Sequence, residues 1–262
     1  MTLPLRLTRG RLSPLAGAGL AVLSAATLLA QVPYSDATPT APGRAARRHP
    51  SSTSAPTAAA PYGLRDLTDL APVSYRRRRR ELSEVRAAIL HQTGFGTWTI
   101  DNPLWPRVRA HFVVHRCGLI SQNHRVESRM RYGSGFANGY AVTIEHEGNY
   151  PLSYDLTGTP RYWKPEKYGS DVIDDAPQQV IAARALLAHL AAEIPGLRVG
   201  AHRHVEALKS GCCGPDLWRE VGEWARDPAN LNMPELAPLA SGLALPESWR
   251  DAPRIALTPN GD

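Results

Sequence analysis

The stretch Gly200-Ala201-His202-Arg203-His204 is followed, four residues later, by Lys209-Ser210-Gly211-Cys212-Cys213-Gly214-Pro215. A neutral imidazole and a nearby thiolate are ligands that a borderline-soft ion such as Zn²⁺ prefers. Far upstream, the strand-like segment Ala87-Ala88-Ile89-Leu90-His91-Gln92-Thr93 offers a third ligand in His91. Three protein ligands with a fourth position left to water is the layout of a catalytic zinc site. The sequence therefore predicts a zinc hydrolase.

Strands and helices alternate around these ligands. The patterns predict strands at residues 86–92, 111–116, 118–122, 140–145 and 198–201, and helices at 177–194 and 216–225. The longer helix has Asp175 as its N-cap candidate and Pro177 in its first turn. The predicted fold class is α/β: a single domain with a central mixed β-sheet flanked by helices and the zinc site at one face.

The N-terminal region predicts export. Arginines at positions 6, 9 and 11 precede an apolar run, Leu15 to Ala30, which is typical of a secretory signal peptide and too short for a membrane span. Cleavage after Ala37 gives a signal peptide of residues 1–37; cleavage after Ala30 and an uncleaved anchor are the alternatives. We therefore expect an exported protein, periplasmic or secreted, with no stable membrane span after cleavage.

Composition divides the rest of the chain. Residues 38–63 are rich in Ala, Pro, Ser, Thr and Arg, and are predicted to be a disordered linker because they offer little apolar surface to bury. Residues 64–228 have the size of one domain, for which we expect a monomer, and residues 229–262 are predicted to be an irregular tail.

Five consecutive arginines, Arg76 to Arg80, supply much of the net charge of +6. Such a run can bind a polyanion, but a solvated basic face on a helix at residues 74–84 explains it as well. An export signal and the absence of a recognition-helix motif weigh against a nucleic-acid partner. The cysteines are odd in number; if Cys212 binds metal, Cys117 and Cys213 could pair, or Cys213 could be a free thiol.

The order of the motifs resembles a known family. The segments that carry the resemblance are His91, His111-Phe112-Val113-Val114 with Gly118, Asn138, Val142-Thr143-Ile144-Glu145-His146-Glu147-Gly148, Gly200-Ala201-His202 and Cys212-Cys213-Gly214-Pro215. Together, over about residues 84–227, they are similar to the type-2 N-acetylmuramoyl-L-alanine amidase domain, which peptidoglycan recognition proteins and phage amidase lysozymes share.

The resemblance implies an enzyme that cuts the amide between N-acetylmuramic acid and the L-alanine of the stem peptide, in peptidoglycan or a muropeptide. By position, His91, His202 and Cys212 match the family's zinc ligands, although Cys213, which replaces the family's usual proline, leaves open which sulfur binds. Glu145 matches the acidic residue that faces the metal. A recognition module of the same fold that binds without cutting is the alternative.

Two departures from the family affect the predicted catalytic residues. Many relatives carry a lysine two residues before the third ligand, where this chain has Ser210 and the lysine is Lys209. The catalytic tyrosine of some relatives is replaced by Ala110. Glu145 is then the candidate general base, with Glu147 second, and Lys209 or His204 would stabilise the oxyanion.

Three residues are predicted to contact substrate: His111, Asn138 and His204. His111 opens an otherwise apolar strand and could face either the metal ligands or the substrate. For His204, solvent exposure is more expected than metal ligation, and His115 is expected on the surface of its strand.

Overall fold

The computed structural model describes residues 63–95 and 98–250. The predicted signal peptide (residues 1–37), nearly all of the predicted linker and residues 251–262 of the predicted tail lie outside the described residues.

A six-stranded mixed sheet forms the centre of the described part, which confirms the predicted α/β class. In the order in which they lie side by side, its strands are β1 (Leu64–Asp66), β5 (Ile120–Gln122), β4 (Phe112–Val114), β7 (Ala141–His146), β3 (Ala87–Gln92) and β10 (Arg198–Ala201). Only β4 and β5 are antiparallel to each other; the remaining neighbours are parallel.

The register of three parallel strands sets up one edge of the sheet. Residue His91 of β3 lies opposite Glu145 of β7, and Leu90 lies opposite Ala201, the last residue of β10. The carboxyl ends of parallel strands share one edge, where α/β proteins commonly bind ligands. His91, Glu145 and the residue after β10, His202, therefore meet there.

Helices cover one face of the sheet. Helix α2 (Pro177–Glu193) matches the predicted helix, and a short α1 (Pro165–Tyr168) precedes it. A second helical stretch consists of α3 (Pro215–Leu217), a π-helical turn (Trp218–Glu223) and α4 (Trp224–Arg226). The core here joins Leu90 and Val142 of the sheet to Leu186 and Leu187 of α2, all buried. Burial of these apolar side chains stabilises the packing of α2 on the sheet whose strands carry the ligands.

The other face carries a smaller apolar cluster, in which Ile89 of β3 packs with Val205 and Leu236. Leu236 belongs to the segment that follows the second helical stretch and returns to β10, where its N–H donates to the Val199 carbonyl over 2.8 Å. Further along the same segment, Trp249 is buried in the main core. Residues 229–250 thus pack along β10 although they contain little regular structure.

The arginine run is a strand and not the predicted helix. β2 (Arg76–Arg79) pairs antiparallel with β6 (Ser128–Met130) in a two-stranded sheet. Arg80 ends the run in the interior, where its guanidinium donates to the carbonyls of Val126 and Ala141. In a helix, five consecutive arginines would point all the way round the axis, whereas the strand leaves Arg77–Arg79 exposed and turns Arg80 inward to buried carbonyl acceptors. The remaining small sheet pairs β8 (Ser153–Tyr154) with β9 (Pro160–Arg161).

His115 was expected on the surface of its strand, and that prediction is wrong: the side chain is buried. Its Nε2 lies 2.8 Å from the hydroxyl of Ser121 and its Nδ1 lies 3.1 Å from the carboxylate of Glu147. This polar chain joins the ends of β4 and β7 to the middle of β5, and it occupies the carboxylate of Glu147, the second candidate for the general base.

The three cysteines are free thiols: Cys117 is exposed, Cys212 is half-buried and Cys213 is buried. Within the described ranges, no helix has the length and apolar character needed to cross a membrane.

Candidate metal centre

Three predicted ligands converge at the carboxyl edge of the sheet. One donor atom each from His91, His202 and Cys212 lies within 4.8 Å of the others, and the imidazole centroids are 4.2 Å apart. Donors around a tetrahedral zinc are separated by roughly 3.3–3.8 Å, given metal–ligand bonds of 2.0–2.3 Å. Small side-chain movements therefore suffice to close the three donors around one ion, and the fourth direction has no ligand in this cluster.

A sharp turn places Cys212. Gly214 has φ +94°, and a β-carbon there would lie 2.3 Å from the carbonyl oxygen of Pro151. Only glycine fits this backbone at this distance. Pro215 then begins α3, so the Cys-Cys-Gly-Pro motif is a loop that ends in a helix start, with the thiol held beside β3.

Ser134 orients the ring of His91 and was not found by sequence reasoning. Its hydroxyl lies 3.1 Å from His91 Nε2 and 2.8 Å from the hydroxyl of Thr143 on β7. A hydrogen bond to one imidazole nitrogen fixes the tautomer and leaves the other nitrogen for a metal. His91 Nδ1 is therefore the nitrogen that Ser134 leaves available.

Glu206 lies near His202 but does not hydrogen-bond to it. Its carboxylate oxygen is 3.4 Å from His202 Nε2, without hydrogen-bond alignment, and Nε2 is buried with no hydrogen-bond partner among the described residues. A carboxylate orients a metal-binding imidazole when it accepts the ring N–H, and a small movement of the Glu206 side chain would make that bond. The spacing of four residues between His202 and Glu206 is the sequence signal from which this proximity could have been predicted.

Glu145 points a buried, unpaired oxygen into the same region. Its Oε2 has no hydrogen-bond partner among the described residues. Burial raises the pKa of this carboxyl to about 8, and the positive charge of Lys209 partly offsets that rise. An unsatisfied buried carboxylate is costly unless a positive group is bound nearby. A metal ion beside it would supply that charge.

The protonation states of the ligands suit a divalent metal. Burial and the charge of Lys209 lower the pKa of His202 to about 3; the pKa of His91 also lies well below its usual value, mainly because of burial. Both rings are therefore neutral at pH 7, as metal ligands must be. Burial, with a smaller effect of Glu145, raises the pKa of the Cys212 thiol to about 12. That thiol would lose its proton on binding a metal. Two imidazoles, a thiolate and an adjacent carboxylate fit Zn²⁺.

Two of the residues predicted to contact substrate are in the interior instead. The His111 ring accepts a hydrogen bond at Nδ1 from the Thr143 N–H and lies 2.8 Å from the Ser128 carbonyl through Nε2. His204 accepts from the Ala201 N–H and lies 3.2 Å from the carboxylate of Glu235. Neither ring is exposed, which corrects the expected exposure of His204. Both bind backbone, so neither is placed to contact a substrate.

Asn138 and Lys209 have different surroundings. The Asn138 side chain accepts from the Ser134 N–H and donates to backbone carbonyls of its own loop, so it holds the loop that carries Ser134. Lys209 is exposed, yet its charge acts on Glu145, His91 and His202. The one-residue shift of this lysine therefore still leaves an ammonium close to the cluster.

A cavity of about 700 Å³ adjoins the ligand loop. Its wall includes Ser210 and Gly211, directly before Cys212, and Arg203, directly after His202. Arg161 and Trp249 also line it, and the Arg203 guanidinium lies 5.0 Å from the centre of the Trp249 ring. The volume is that of a typical ligand pocket.

No family model and no curated protein matches the chain. Solved structures similar to it include Drosophila peptidoglycan recognition protein SD, at 15% identity over 68% of this chain and 99% of that one, with a TM-score of 0.45. An endolysin N-acetylmuramoyl-L-alanine amidase from Clostridium intestinale is 17% identical over 58% of this chain and 86% of that one, with a TM-score of 0.39. The Ph2119 endolysin of a Thermus scotoductus bacteriophage is 15% identical over 61% of this chain and 97% of that one, with a TM-score of 0.38.

Proposed function

We propose that this chain is an exported, zinc-dependent hydrolase of peptidoglycan or its fragments that cleaves the amide between N-acetylmuramic acid and L-alanine. The observation that carries the proposal is the convergence of His91, His202 and Cys212, with donor atoms within 4.8 Å of one another. The buried, unpaired Oε2 of Glu145 beside them supports hydrolysis over simple metal storage. The choice of amide follows from the family resemblance of the sequence motifs.

A zinc ion held by these three residues supplies Lewis acidity toward a carbonyl oxygen and toward water. Glu145 takes a proton from the attacking water and returns it to the amine of L-alanine as the C–N bond breaks. Lys209 places positive charge near the oxyanion that forms on the carbonyl. Ser134 keeps the imidazole of His91 in the orientation that metal binding requires.

The alternative is a module that binds muropeptides without cutting them. Its simplest origin is loss of a ligand or of the base, and this chain retains both a thiol at the third ligand position and Glu145. The complete set of groups therefore favours catalysis.

The test is mass spectrometry of purified muropeptides incubated with the full chain, with and without a zinc chelator. Stem peptides that begin with a free L-alanine amine should appear only without chelator, and Glu145→Gln should abolish their release while the protein still retains zinc. The matched control is Glu247→Gln, since the side chain of Glu247 is 79% exposed. Zinc-loaded protein that binds muropeptide but releases no stem peptide would support the recognition module instead.

A further inference from the structure

The surface around strand β2 concentrates positive charge that the proposed hydrolysis does not use. The arginine patch consists of Arg76–Arg79 on β2 together with Arg109 and Arg131. All except Arg76 are exposed, and Arg76 is half-buried. Within residues 63–95 and 98–250, none of the six takes part in an ion pair within 4.0 Å.

The strand conformation of β2 explains why its guanidinium groups are exposed to solvent. Successive side chains of a strand point to opposite faces, and Arg77, Arg78 and Arg79 are nevertheless all exposed. The two-stranded sheet of β2 and β6 is therefore open to solvent on both faces at β2. Arg131 joins the patch because its N–H donates to the Tyr75 carbonyl over 2.8 Å.

Exposed apolar side chains precede the arginine patch in the sequence, and aromatic rings contact it. Leu70, six residues before β2, is 67% exposed, and Val73, three residues before it, is 75% exposed. The Arg109 guanidinium lies over the rings of Tyr75 and Tyr132, at 5.1 and 4.8 Å, and Tyr132 is 52% exposed. Exposed Leu, Val and Tyr beside clustered arginines are the combination that binds the interface of an anionic bilayer.

We propose that the arginine patch, with Leu70, Val73 and Tyr132, is a peripheral docking surface for anionic lipid membranes. Charge complementarity identifies the partner as anionic, and the exposed apolar side chains favour a bilayer over a soluble polyanion, because a polymer of phosphates offers them nothing to enter. The acidic groups nearby are Glu84, which is paired with Arg129 and on which the charge of Arg78 also acts, and Glu81 and Glu127 at the far end of β2. Asp69, exposed and next to Leu70 in the sequence, is a further acidic group close to the proposed surface along the chain.

Charged residues also protect an edge strand from pairing with another chain. Either sign of charge does this equally well, whereas lipid binding requires positive charge. Reversing the charge therefore separates the two roles. The proposal does not depend on the proposed hydrolysis, which takes place at the carboxyl ends of β3, β7 and β10.

The experiment is co-sedimentation of the full chain with vesicles of phosphatidylcholine alone or mixed equally with phosphatidylglycerol. We expect binding to the anionic vesicles only, lost as salt is raised to about 0.5 M because screening shortens the reach of the charges. Arg77→Glu/Arg78→Glu/Arg79→Glu should weaken partitioning by about a hundredfold or more, since each basic residue near an anionic surface contributes roughly five- to tenfold. Cleavage of soluble muropeptides should not change.

The matched control, Arg161→Glu/Lys164→Glu/Lys167→Glu, makes the same change in net charge elsewhere and should bind nearly as the unmodified chain does. Arg77→Lys/Arg78→Lys/Arg79→Lys keeps the charge and should also bind, which guards against misfolding of the reversed variant. Equal losses in both reversed variants, or equal binding to phosphatidylcholine, would overturn the proposal. Complete displacement from vesicles by soluble polyphosphate at equal phosphate concentration would overturn it in favour of a polyanion site.

Discussion

Replacing Glu145 with glutamine should stabilise the metal-free protein at alkaline pH. The folded protein holds the carboxyl of Glu145 with a pKa of about 8, against an ordinary value of 4.5, because of burial. Between these two values the folded state keeps a proton that the unfolded state has lost. The free energy of unfolding therefore falls as the pH rises through this window. Glutamine has nearly the same shape and carries no charge at any pH.

The size of the effect follows from the two pKa values. One pKa unit corresponds to about 1.4 kcal/mol, so the carboxyl costs the folded state about 4 kcal/mol at pH 8 and about 1 kcal/mol at pH 5. The variant should therefore gain about 3 kcal/mol over the unmodified chain between pH 5 and pH 8. The neutral, buried His91 and His202 also make stability depend on pH, but they do so equally in both proteins and cancel in the difference.

The assay is urea denaturation of chelator-treated protein at several pH values between 5 and 8, followed by circular dichroism. Glu247→Gln, on an exposed side chain, serves as the control and should show no pH-dependent gain. Saturating zinc should shrink the advantage of Glu145→Gln, because a dication beside the carboxylate favours its ionised form. A constant difference between Glu145→Gln and the unmodified chain over the whole pH range would refute the reasoning.

Three further outcomes test the site and the fold. Cys212→Ala should abolish retention of zinc through gel filtration, measured by elemental analysis, whereas Cys213→Ala should retain it; the opposite pattern would assign the ligand to Cys213. Ser134→Ala should weaken zinc affinity by about 10–100-fold in a competition assay with a chelating dye, because the His91 ring loses its orienting partner; unchanged affinity would remove Ser134 from the site. Leu187→Ala, at a fully buried position of α2, should lower the free energy of unfolding by about 2–5 kcal/mol in urea without changing zinc stoichiometry, and a loss below about 1 kcal/mol would contradict the packing described.

The strands that hold the ligands could be predicted from sequence because their residues are apolar in short runs bounded by Gly. Ala87–Gln92 and Arg198–Ala201 were found in this way, and so was α2 from its helical spacing and Pro177. Parallel pairing then brings strand ends to one edge, so the convergence of His91 and His202 followed from the class of fold.

Other features depended on contacts that local sequence does not encode. Ser134 reaches His91 from a loop more than forty positions away, and no spacing rule connects them. His204 was expected in solvent because the local sequence does not show that the carboxylate of Glu235, 31 positions away, lies beside its ring. The arginines of β2 were assigned to a helix because a run of one charged residue type has no period from which to tell helix from strand.

The segment that returns along β10 has a consequence for the order in which the site can be assembled. Leu239 donates its N–H to the His204 carbonyl and Leu243 to the Arg203 carbonyl, over 2.8 and 2.7 Å, so the backbone next to His202 is fastened by residues made 35 to 40 positions later. During synthesis, the first ligand, His91, exists long before these partners do. A chain cut short at residue 228 would contain every proposed ligand and still leave the turn that carries His202 without its outer hydrogen bonds. The backbone around His202 is therefore complete only after residues 239–243 have been made and have packed back along β10.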